Sequence, residues 1–319
     1  MKKNFLTFIF LFLFFLMLSF PDITKNSANI GMELWLSTIL PALLPYTVIS
    51  SLLLYLDAFN LPCKFFEKIL KRPLPKNHIL IVLCGLFCGC PIGAKLAADS
   101  YKNGLIKKST ATFLMCACNN LSPSFLINFV FARVYTPFIH INSTDKWILY
   151  IIMIFSSFFC SYFVTKPLYK NSDNICDNNN ICTEKDNKTP FFTFFEKCIL
   201  SAFEIQAKIG GYIIIFSIIS GLFLYTMGIS NITGAIIGSF LESSSGLNLF
   251  ASYSETTNHL NIPYITGIIT ALTSFGGICT IFQTKSVLHG SSLPISFYIK
   301  SKLLSSVFVF LLSFIYMSI

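Results

Sequence analysis

The sequence predicts an all-α polytopic membrane protein with about eight membrane-embedded segments, arranged as two inverted repeats that each carry a Gly-rich re-entrant hairpin. Three observations lead there. The 319 residues are 54% hydrophobic, include 35 Phe and are only 12% charged. The apolar residues fall in long uncharged runs, at 5–20, 34–56, 110–132, 147–165, 209–230, 262–284 and 303–319. Each approaches or exceeds the roughly 20 residues that a helix needs to cross about 30 Å of hydrocarbon. The two halves of the chain also resemble each other.

The first run follows Lys2 and Lys3, as in a signal peptide. No small-x-small cleavage site follows at Ser19-Phe20-Pro21 and further spans come after, so we expect a retained first helix, with a cleaved signal as the alternative. Residues 1–30 form an N-terminal helix and loop, 31–170 a first membrane half and 190–319 a second. Between the halves, residues 171–189 are rich in Asn and Asp and read as a polar linker. Cys176 and Cys182 lie in it, where a regulatory disulfide is the minor alternative. The other cysteines sit mostly in apolar segments and read as small hydrophobes, with no ligand spacing for a metal.

Val48-Ile49-Ser50-Ser51-Leu52-Leu53-Leu54-Tyr55 aligns with Ile218-Ile219-Ser220-Gly221-Leu222-Phe223-Leu224-Tyr225. Further on, Phe87-Cys88-Gly89-Cys90-Pro91-Ile92-Gly93 has a looser counterpart in Ser274-Phe275-Gly276-Gly277-Ile278-Cys279-Thr280. This is the internal symmetry transporters carry. With residues 79–98 and 262–284 taken as hairpins that do not cross, 16 of the 23 Lys and Arg fall on one side. Six fall on the other, three of them at 285–302. The positive-inside rule then makes the halves inverted; eight full crossings and a parallel repeat are the alternative. The net charge of +9 is explained by basic residues flanking spans, so nucleic acid is not an expected partner.

Chemistry is expected where polar groups and broken backbone lie at membrane depth. Gly89, Pro91 and Gly93 interrupt a helix and would free amides for an anion; close helix packing is the competing reading. Lys95, the lone charge of its segment, faces either a cavity or the interface. Asn119, Asn120 and Ser122, ahead of Pro123, break the next helix, either to bind a ligand or to glue helices together. Glu242 is the only acid in 232–250 and is either a coupling site or loop-facing. Gly276, Gly277, Thr280 and Gln283 repeat the first hairpin's pattern. There is no nucleophile–His–acid set, metal motif or phosphate loop, so no enzymatic activity and no cofactor are expected.

At these residues the sequence resembles the sporulation integral membrane protein YlbJ (SpoVV) family, whose members carry the nucleoside-recognition Gate domain. The resemblance rests on Gly89-Cys90-Pro91-Ile92-Gly93-Ala94-Lys95, Gly104-Leu105-Ile106, Asn119-Asn120 with Pro123, Glu242, and Ser274-Phe275-Gly276-Gly277 with Gln283. It covers nearly the whole chain outside the linker and first helix. Cys90 and Leu121 depart from the expected pattern, which bears on pocket shape. The resemblance implies a protein of the cell membrane or outer forespore membrane of a spore-forming bacterium. Its role would be to move dipicolinic acid from mother cell toward forespore, alongside other sporulation membrane proteins. Lys95 and hairpin amides would meet the substrate's carboxylates, Asn119, Asn120 and Ser122 would add neutral hydrogen bonds, and Glu242 would couple a cation or proton. The rivals are a nucleoside permease and a non-transporting scaffold that acts through the Lys-rich piece at 62–78.

Overall fold

The computed structural model describes residues 2–55, 76–136, 138, 141–170, 191–253 and 261–319. The linker at 171–189, with Cys176 and Cys182, lies outside the described residues, as does most of the Lys-rich piece at 62–78. Every regular element described is helical. Six stretches are long and apolar enough to cross a membrane: Pro21–Leu53, Lys108–Val134, Ser143–Tyr169, Phe191–Thr226, Ile262–Val287 and Ile295–Ser318.

Helix α1 (Lys2–Ser19) is apolar on every face and exposes most of its Phe side chains, as a helix solvated by lipid does. Helix α2 (Pro21–Leu34) runs through a widened turn (Trp35–Ile39) into α3 (Leu40–Tyr55). The widened turn lies directly ahead of Pro41 and Pro45, which have no N–H to donate and crowd the preceding turn.

Next come two short helices, α4 (Lys76–Cys88) and α5 (Ile92–Lys102), folded back on each other. Gly85 and Gly93 make the fold-back feasible: a Cβ on either would lie 3.1 Å from the Cα of the other. Helix α6 (Lys108–Cys118) and α7 (Pro123–Phe125, continuing with widened turns through Leu126–Val134) form one span interrupted at 119–122. Helix α8 (Ser143–Lys170) completes the first half.

The second half has the same order. A long helix, α9 (Phe191–Thr226), precedes a folded-back pair, α10 (Ile232–Leu241) and α11 (Ser243–Ser252). Here the contact is closer still, since a Cβ on Gly246 would collide with the backbone of Gly238 and Ser239. Helices α12 (Ile262–Phe275) and α13 (Gly277–Val287) form one span interrupted at Gly276, and α14 (Ile295–Ser318) closes the chain.

This corrects the placement of the second hairpin, expected at 262–284. Gly276 and Gly277 both have positive φ, 76° and 80°, yet they offset the helix axis without reversing it. The reversal occurs at Glu242, where ten residues on each side amount to about 15 Å of helix, half the hydrocarbon thickness. The residues at 285–294 change ends as a result. Lys102 donates to the His289 carbonyl at 2.6 Å, and Tyr101 and Ser292 hydroxyls lie 3.2 Å apart. The loop after α13 therefore shares an end of the molecule with the loop after α5, on the Lys-rich side. Lys300 and Lys302, expected in an outer loop, lie within α14.

Small residues allow close helix packing without any hydrophobic drive from lipid. Helix α2 packs antiparallel to α9. Phe20 meets Tyr225 at 5.3 Å between ring centroids, Gly31 lies against Ser217, and Trp35 against Gly210. Hydroxyl pairs join α8, α12 and α14: Ser161–Ser301 and Thr270–Ser313 at 2.8 Å, and Ser274–Ser305 at 3.3 Å.

Candidate functional site

Each hairpin tip docks onto the interruption of the span that follows it. At the first tip, Gly89 has φ 78° and lies so close to Ser122 that a Cβ would come within 2.8 Å of the Ser122 nitrogen. The Cys90 amide donates to the Asn120 carbonyl at 2.7 Å. At the second tip, a Cβ on Gly277 would lie 3.1 Å from the Leu241 oxygen and the Ser243 nitrogen. Helix ends inside a bilayer need partners for their free amides and carbonyls, and in both halves tip and interruption face each other.

Glu242 is 3% exposed and caps α11. One carboxylate oxygen accepts from the Ser244 amide at 3.0 Å and the other from the Ser245 amide at 2.6 Å. The Ser244 hydroxyl reaches both oxygens, at 2.8 and 2.9 Å. The acid is thus turned inward at the tip, and the positive end of α11 offsets its charge.

The two tips meet at a small central cavity of about 40 Å³. Cys90, Ser122, Glu242, Ser244, Thr280 and Gln283 supply its polar wall, and Ile39, Leu43, Ile209 and Ile213 its apolar one. Two larger spaces flank it. A cleft of about 330 Å³ is lined by Pro91, Lys95, Asp99, Glu204, Lys208 and Gln283 among others. A space of about 580 Å³ on the opposite side is lined by Ser27, Ser217, Ser220, Gly228, Ser230 and Ser245 among others. All three lie along α9. The first cleft touches it between 201 and 212, the central cavity at 209 and 213, and the opposite space from 217 onward to 228 in the following turn. At 1.5 Å per residue that path is about 40 Å long, close to the full thickness of a bilayer with its headgroups.

The expected site residues divide among these places. Ser122, Glu242 and Gln283 reach the central cavity. Lys95 and Pro91 line the cleft at the Lys-rich end, where Gln283 and Ile209 continue into the centre. Lys95 does not lie with the Asn pair. Gly93 is a packing contact: its Cβ would meet the Cys118 carbonyl at 2.6 Å. Gly89, Gly276 and Gly277 shape the tips and interruptions.

Asn119 and Asn120 tie the halves together. Asn119, fully buried, donates to the Thr284 hydroxyl at 2.8 Å, while its side-chain oxygen is left without a partner. Asn120 donates to the Ala117 carbonyl and accepts from Ser157 at 3.0 Å and from Lys302 at 2.6 Å. Lys302 is 3% exposed, its ammonium 5.7 Å from the centre of the Tyr298 ring. Sequence reasoning missed it. The signal was there, a cation only seven residues into the final helix, but Lys300 beside it made it look interfacial.

One stretch of 124 residues is 27% identical to the sporulation integral membrane protein YlbJ of Bacillus subtilis (strain 168). The match covers 38% of this chain and 30% of that protein, so the chain spans under a third of the relative's length. No family model matches the chain, and no solved structure matches it. The six apolar spans and this similarity agree on an integral membrane protein.

Proposed function

We propose that the chain is a sporulation membrane transporter whose substrate is a small planar dianion, dipicolinic acid, moved from mother cell toward forespore. The observation that carries the transport reading is the row of three cavities along α9, with polar tip and interruption groups at its midpoint. Broken backbone lining a cavity at mid-membrane is how secondary transporters build binding sites.

In this reading the six spans and two re-entrant hairpins make eight embedded segments besides α1, and the halves are inverted repeats. Support comes from the shared element order and from the antiparallel packing of α2 on α9. With α12–α13 crossing, Lys285 and Lys300 move to the Lys-rich side and Lys302 leaves the outer loop for the interior of α14, which strengthens the positive-inside bias. The central cavity holds only a water or two, so the conformation is an occluded one and a hairpin must shift to admit cargo. Lys95, at the Lys-rich mouth, would meet the dianion, since Lys208 is held by Glu204 at 2.6 Å. Gln283, shared by cleft and centre, would pass it inward. Glu242 would hold the coupling proton or cation. The sporulation setting rests on the similarity to YlbJ alone.

The test is flux of labelled dipicolinate and labelled uridine through the same proteoliposomes, with and without ion gradients. Saturable dipicolinate uptake that uridine does not inhibit is expected. Uridine flux with no dipicolinate flux would move the assignment to a nucleoside permease. Flux of neither, in liposomes where the protein is shown to be folded, would favour the scaffold reading.

A further inference from the structure

Lys302 is a cation inside the bilayer, and no carboxylate among the described residues lies within ion-pair distance of it. An ammonium so placed costs several kcal/mol unless something negative faces it. What faces it is the end of α6. That helix stops at Cys118, where its last carbonyls point past the final turn and carry the negative end of the helix dipole. The structure shows how these acceptors are organised. Asn120 donates to the Ala117 carbonyl, the single Ser157 hydroxyl lies within reach of both that carbonyl (3.2 Å) and the Asn120 side-chain oxygen (3.0 Å), and Lys302 closes the set at 2.6 Å. The Asn120 main-chain carbonyl then receives the Cys90 amide of the first hairpin tip. Close by, the buried Asn119 side-chain oxygen is a further acceptor with no donor.

We infer that Lys302 is a tethered cation that does the work of a bound monovalent metal ion at the first interruption. Supplied by the last helix, it donates to the Asn120 side-chain oxygen at the head of this acceptor cluster and so fixes the residue on which the first hairpin tip rests. Lys302 is a positioning residue: it acts on the tip through Asn120. This goes beyond the transport reading and does not depend on it. Glu242 is the only acid lining the central cavity among the described residues, so within the transport reading a coupling ion would belong on the second-hairpin side.

The test is chemical rescue. Lys302→Ala should leave a space of ammonium size facing the Asn120 side-chain oxygen and the Tyr298 ring. Thermal unfolding of the purified full chain is followed in equal concentrations of methylammonium, sodium and choline chloride. The variant's midpoint is expected to fall by several degrees in choline and to recover in methylammonium, and in part in sodium, while the wild-type chain responds equally to all three. Equal midpoints for the variant in all three salts overturn the inference. If Lys302→Ala does not accumulate in membranes, Lys302→Arg and Lys302→Gln decide. Arg at wild-type midpoint with Gln lowered supports the tethered charge, and Gln at wild-type midpoint overturns it. Because the readout is stability, failure here is distinct from failure of the flux assay.

Discussion

Replacing Gly277 by Ala tests the docking of the second hairpin tip on its interrupted span. Two costs are involved, and a control separates them. Gly277 has φ 80°, and a non-glycine residue there pays about 1–2 kcal/mol for the left-handed backbone. Its new methyl carbon would also lie 3.1 Å from the Leu241 oxygen and the Ser243 nitrogen and 3.2 Å from the Ser239 oxygen. All three are backbone atoms, so no side chain can swing aside, and overpacking of this kind costs about 1–3 kcal/mol. Gly228 has φ 63° and nothing within 4 Å of its would-be Cβ, so Gly228→Ala carries the first cost alone. The difference between the variants, about 2 kcal/mol, is about 30-fold in the folding constant. Equilibrium unfolding in mixed micelles, followed by fluorescence of Trp35 and Trp147, measures both. If Gly277→Ala is no less stable than Gly228→Ala, the tip does not rest on the interruption as described.

Lys95→Ala should abolish dipicolinate uptake at low substrate concentration while membrane levels of the protein stay unchanged; normal uptake removes Lys95 from the path. Glu242→Gln exchanges an acceptor oxygen for an amide donor at the cap of α11, which should cost about 1 kcal/mol in unfolding experiments. The same variant should lose any dependence of flux on an imposed proton or cation gradient, and an unchanged dependence would place coupling elsewhere. Asn120→Ala leaves Lys302 buried without its acceptor, a loss on the order of 3–5 kcal/mol by the rule for breaking buried charge contacts. A drop below 1 kcal/mol in the same micelle assay would mean that Lys302 finds another acceptor.

Much of this architecture is legible in the sequence because bilayers demand long uncharged runs, and those runs mark the six spans. The interruptions are legible too: Gly89–Pro91, Asn119–Pro123, Glu242 and Gly276–Gly277 are polar or conformationally special residues in apolar surroundings. What composition does not reveal is whether an interruption reverses the chain or only offsets it. At Gly276 and Gly277 two positive-φ glycines look like a hairpin tip, yet the axis continues. At Glu242 the reversal needs a helix-capping acid plus Gly246, whose missing side chain lets the two arms touch, and that contact is tertiary. Lys302 was hidden for a similar reason. Its partner, Asn120, is 182 residues away in sequence, and nothing local separates it from an interfacial lysine.

The central claim is that α9 presents one face to a continuous path and another to lipid. Single cysteines placed along it, in a background without the native 11, test this by reaction with a small membrane-impermeant thiol reagent applied to either side. Positions 205, 209, 213, 217, 220 and 224 should react, and positions 203, 207, 211, 215 and 223 should not, with the side of access changing near 209–213. Equal reactivity on both faces, or none anywhere in the middle of the helix, would contradict a passage there.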